Sequence, residues 1–140
     1  MIRTIFAAIS AWGLLCSAVA LTLSKDDEAA RQAAMQFLQV VDSGNYNDAA
    51  FMMSERVRGQ RDWLNYFITG RASFGRVIKR QIVELKHAST VPGDYELRQH
   101  AIIRFKTSFE RKPSALEDVV LAKMGCCWEV FDYKISDPPH

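Results

Sequence analysis

Residues 95–109, YELRQHAIIRFKTSF, decide the fold class. Tyr95, Leu97, Ala101, Ile103, Phe105 and Phe109 share one parity; Arg98, His100, Arg104 and Lys106 share the other. Period-two alternation sends the two sets to opposite faces of a strand. One apolar and one basic face indicate an antiparallel sheet buried on one side. Upstream, residues 77–87 are rich in β-branched side chains, and Val91-Pro92-Gly93-Asp94 signals a turn. Downstream, Arg111-Lys112-Pro113-Ser114 turns the chain again. Residues 116–124 and 127–135 then read as two more strands across a tight connection at Gly125. Four consecutive strands predict an antiparallel meander.

The segment before the strands is helical. Ser24 is a candidate cap, and Asp26, Asp27 and Glu28 suit the positive end of a helix dipole. Ala30, Ala33, Ala34, Phe37, Leu38 and Val41 follow at helical spacing, and Gly44 ends the run. Residues 46–57 and 61–68 predict two shorter helices. Helices first and strands afterwards make an α+β domain, with N-terminal helices packed on a four-stranded antiparallel sheet.

With 140 residues, 49% hydrophobic and 24% charged, the chain suits one domain and excludes wholesale disorder. A net charge of +2 supplies no global pull on nucleic acid, and three cysteines are too few for a disulfide scaffold. Arg3, an uncharged stretch over residues 4–24 and Ala18-Val19-Ala20 read as a secretory signal peptide cleaved after Ala20. Residues 21–140 would then be a single exported, periplasmic domain. The rival is an inner-membrane anchor over residues 4–24. Leu15 before Cys16 argues against a lipoprotein signal.

The series Phe37-Leu38, Val41-Asp42-Ser43-Gly44-Asn45-Tyr46, Trp63, Arg71, Gly75 and Arg80 is followed by Phe105, Thr107, Phe109, Glu117, Val119, Leu121, Trp128, Val130, Tyr133 and Ile135. In order and spacing this resembles the DUF4019 family of small exported bacterial proteins. The resemblance runs from about Ala30 to Ile135. It implies a cystatin-like or NTF2-like fold with a curved sheet around the helices, and it transfers no catalytic residue. Gly125-Cys126-Cys127-Trp128 departs from the family's usual Gly-x-Trp hairpin.

Three groups of residues are candidates for chemistry. Arg71 and Arg80 flank the helix-to-sheet junction, where they would bind an anion or pair with Asp42 or Asp62. Arg98, His100, Arg104 and Lys106 form a basic stripe for phosphate, lipid headgroup or an acidic protein, or a solvated outer face. The segment from Arg71 to Lys112 holds ten Lys/Arg against four acids. Cys126 and Cys127 would form a vicinal disulfide, or place one cysteine in the core and one outside.

No metal set, cofactor motif or catalytic motif is legible. The reading is a non-catalytic domain binding a small ligand or an envelope protein, with homodimerisation compatible. The alternatives are a small-pocket isomerase or hydrolase, or a structural protein of envelope assembly. Nucleic acid is not an expected partner, and membrane contact requires an uncleaved leader.

Overall fold

The computed structural model describes residues 23–94 and 96–140. The leader read over residues 1–20, with Cys16 and Ala20, lies outside them, as does Tyr95. Among the described residues no helix is long and apolar enough to cross a membrane.

Helix α1 (Lys25–Asp42) begins where Ser24 Oγ accepts the amide of Asp27 at 3.1 Å. That bond satisfies one of the free N–H groups of the first turn. Ala30, Ala34, Phe37, Leu38 and Val41 are its buried face. The expected helix over 46–57 is instead two: α2 (Tyr46–Met52) and α3 (Glu55–Arg58). The break has a cause in the sheet. Met53 bridges Val130 in parallel, and the Ser54 amide donates to the Val130 carbonyl at 2.7 Å. Helix α4 (Trp63–Gly70) is capped by Asp62, whose carboxylate accepts from the Asn65 amide. A short 3-10 turn, Ala72–Phe74, leads to Gly75 at φ +78°.

Strands β1 (Val77–Ala88), β2 (His100–Phe109), β3 (Lys112–Met124) and β4 (Cys127–Ser136) form one antiparallel sheet in that order. The fold is therefore α+β with a four-stranded meander. Ladder irregularities interrupt all three pairings: at Ile78 and Val83 in β1, between Thr107 and Phe109 in β2, and at Phe131 in β4. Bulges of this kind bend a sheet.

Strand β2 starts five residues later than its alternation predicts. Residues 89–94 and 96–99 lie outside the strands and fold over the far face of the sheet. Val91 and Asp94 are buried there, and Gly93 lies against Phe131. Leu97, expected on the buried parity, is 81% exposed because it lies outside the strand.

Helices pack on the other face, where aromatic rings fill the space. Phe67 lies within 5.9–6.1 Å of Phe37, Tyr46, Trp63, Tyr66 and Tyr133. Trp63 Nε1 donates to the Val57 carbonyl, so its one polar group is satisfied. Phe67→Ala should cost about 3–5 kcal/mol in urea unfolding, because five neighbouring rings lose a contact at once. Phe51→Ala, at a 70% exposed position, should stay within about 0.5 kcal/mol of the parent in the same measurement.

Candidate functional site

The densest polar cluster sits where helices meet sheet. Glu117 occupies the helix-facing side of β3 with no exposure. A bare carboxylate there would be costly, so its oxygens need donors. Each has two. Oε1 accepts from Arg80 Nε at 2.8 Å and Thr107 Oγ1 at 2.5 Å; Oε2 accepts from Arg80 Nη2 at 3.1 Å and Tyr133 Oη at 2.5 Å.

Arg80 is shared. Its Nη1 donates to Asp42 Oδ2 at 2.6 Å, and its Nη2 to Asp42 Oδ1 at 3.1 Å. Arg71 Nη2 also reaches Asp42 Oδ1 at 3.2 Å, while its Nη1 donates to the Gly75 carbonyl at 2.6 Å. The Arg71 guanidinium stacks 4.5 Å from the Phe109 ring. Two cations thus meet two anions.

Burial alone would lower the Arg80 pKa, but hydrogen bonds to Asp42 and the charge of Glu117 outweigh it and raise the value. Burial raises the Tyr133 hydroxyl well above its usual range, and the Glu117 charge and hydrogen bond add to the effect. Tyr133 therefore stays a donor. With every oxygen of Glu117 doubly occupied, the cluster has no vacant base at its centre. Its chemistry is that of a clasp joining α1, α4 and the sheet. On its outer side Asp42 and Arg80, with Met35, Gln36 and Gln39 of α1, line an open groove of about 410 Å3.

Asp42, Arg71 and Arg80 were legible as junction candidates, and the structure brings all three together; Asp62 instead caps α4. Glu117, Thr107 and Tyr133 were missed as members. The available signal was a polar residue on an apolar parity: Thr107 shares the side of Ile103, Phe105 and Phe109. Glu117 is harder to read because Val119 and Val120 are both apolar.

The basic stripe does not form. Arg98 precedes β2 and pairs with Asp94 at 2.7 Å and with Glu96. His100, expected to face solvent, is fully buried, its Nε2 2.9 Å from Asp94 Oδ2, because residues 89–99 cover that end of the sheet. Arg104 makes a two-pronged pair with Asp118 at 2.7 and 2.8 Å. Lys106, alone of the four, is exposed and has no such partner among the described residues.

Cys126 and Cys127 are unbridged and both exposed. The expectation of one core cysteine fails because Cys126 lies in the hairpin turn, where strand alternation does not apply. A hydrogen bond with the Cys126 thiol pushes the Cys127 thiol up. Among the described residues no group of three His, Cys, Asp or Glu is placed to hold a metal ion.

A family model described as a protein of unknown function (DUF4019) matches residues 33–133. All six residues of the clasp fall inside that match. The chain matches no curated protein.

Removing one partner from a buried ion pair strands the other charge. Glu117→Gln should therefore cost about 3 kcal/mol or more in urea unfolding. Arg80→Met combined with Glu117→Gln should cost less than the two single losses added together. A second expectation concerns Asp94. Burial raises its pKa, but hydrogen bonds with His100 and the Glu96 amide and the charge of Arg98 hold it below the ordinary 3.8. Such a lowered acid stabilises the fold above pH 3.8, and the contribution vanishes as pH falls through the folded value. The stability gap between parent and Asp94→Asn should thus be full at pH 6 and shrink on acidification below about pH 4, as read by unfolding at each pH.

Proposed function

This chain belongs to the DUF4019 family, and from that premise we propose that it is an exported, non-catalytic domain that binds another protein of the bacterial cell envelope. One observation carries the reading. The space between helices and sheet, where a small-pocket enzyme would hold substrate, is filled by Phe37, Phe67, Tyr133 and their neighbours. Its inward acids, Asp42 and Glu117, are already engaged by guanidinium groups, and Asp94, on the far face of the sheet, by His100 and Arg98. A general base needs a lone pair free to take a proton from substrate. Glu117, with both oxygens doubly occupied, offers none, and Asp42 and Asp94 are each held by a guanidinium.

Binding then falls to the surface. Phe51 is 70% exposed at the end of α2 and faces a shallow cleft of about 220 Å3 with Trp63 and Leu64. Arg58 lies 5.8 Å from the Phe51 ring, and Arg61 stacks on Trp63 at 4.9 Å and Tyr66 at 4.7 Å. Aromatic and arginine side chains grouped at a cleft are the composition of interface hot spots. The matching partner segment carries an apolar anchor beside acidic residues. Export is supported by Arg3, the apolar residues after it and Ala18-Val19-Ala20.

Native mass spectrometry of the protein purified from the cell envelope tests both parts. The chain should have lost residues 1–20 and should carry a polypeptide at fixed stoichiometry. Phe51→Ala should release that polypeptide while leaving the thermal midpoint unchanged. A retained small molecule with no polypeptide would move the reading to a ligand domain, with the groove beside α1 as its site. Intact precursor in the cytosol would overturn export.

A further inference from the structure

We propose that the free edge of β1 pairs with the same edge of a second copy of this chain, antiparallel about a two-fold axis at Gln81. The two four-stranded sheets would then run on as one.

Strand order β1-β2-β3-β4 leaves two edges. The β4 edge is partly occupied, since Met53 and Ser54 bond to Val130. The β1 edge is bare over 12 residues among the described ones. Alternate N–H and C=O groups of such a strand point away from its neighbour and can template another strand. Apolar side chains accompany them: Ile78 is 64% exposed, Val83 48% and Ile82 39%. Ile78 and Val83 are the extra residues at the two ladder irregularities. Between them the rungs are regular, with Lys79, Arg80, Gln81 and Ile82 standing opposite Ser108, Thr107, Lys106 and Phe105, and Glu84, just past Val83, stands opposite Arg104.

Charge selects the partner and the register. Lys79, Gln81 and Glu84 share the face away from the helices. With Val83 of each copy left out of the new ladder as it is out of the ladder with β2, a two-fold axis at Gln81 sets Lys79 of each copy against Glu84 of the other and joins the two Gln81 amides, each able to donate and accept. Neither Lys79 nor Glu84 has another ion pair among the described residues, because Arg80 is committed to Asp42 and Glu117, and Arg104 to Asp118. Neighbouring registers lose this pair. An axis at Ile82 opposes Lys79 to Lys86, one at Glu84 opposes Glu84 to itself, and one at Arg80 leaves Lys79 opposite uncharged Gln81. Same-face pairing forbids the half-step registers between them.

The pairing uses none of the residues at the Phe51 cleft and does not depend on the envelope-partner reading. Sedimentation equilibrium of the purified protein under reducing conditions, which excludes linkage through Cys126 and Cys127, tests it. The parent should be a reversible dimer. Lys79→Glu and Glu84→Lys should each weaken the dimer roughly tenfold or more, since each reverses two cross-strand pairs. Circular dichroism should show both variants folded. An equimolar mixture of the two variants should regain the dimer, because every reversed residue then meets its opposite sign. A monomeric parent, single variants that dimerise as well as the parent, or a mixture that stays monomeric would each overturn the proposal.

Discussion

A carboxylate with no contact to water, Glu117, sets the terms for the rest of this fold. Burying it is tolerable only if cations and hydroxyls arrive at fixed positions. Arg80 comes from β1, Thr107 from β2 and Tyr133 from β4, so three strands besides its own must be in register. Arg80 in turn needs Asp42 at the end of α1, and Asp42 holds Arg71 after α4. The fold's helices and strands are thus tied at one point. Hydrophobic burial by the rings around Phe67 supplies most of the driving force. The clasp contributes register, since any slip by one residue would turn Glu117 to the opposite face.

That arrangement also bears on function. A chamber between helix and sheet is a usual place for a ligand in an α+β domain. Here it is packed with aromatic rings, and its polar remainder is a closed set of ion pairs. What stays available among the described residues lies outside: an arginine-rimmed cleft at Phe51, an open groove beside α1, and the unpaired edge of β1. The proposals place activity on those surfaces for that reason.

The central segment illustrates how charge in a sequence differs from charge on a surface. Arg71, Arg80, Arg98 and Arg104 all have carboxylate partners, several of them from the acidic segments on either side. An excess of basic residues between Arg71 and Lys112 is spent mostly within the chain. The fold-back of residues 89–99 completes the change by burying His100 with Asp94 beneath it.

Local pattern by itself determined the α+β class, the capped start of α1, the order of four strands and the tight connection at Gly125, because each depends on side chains within one or two turns of chain. It also marked Arg71, Arg80 and Asp42 as a junction. Only the tertiary structure decided that α2 breaks from α3 against Val130, that Leu97 is exposed and His100 buried, and that Glu117, Thr107 and Tyr133 complete the clasp. The physical reason is distance along the chain. Asp42 and Arg80 stand 38 residues apart and Arg80 and Glu117 stand 37 apart. Periodicity tells which face a residue takes, but the partner waiting on that face is set by the packing of the whole sheet.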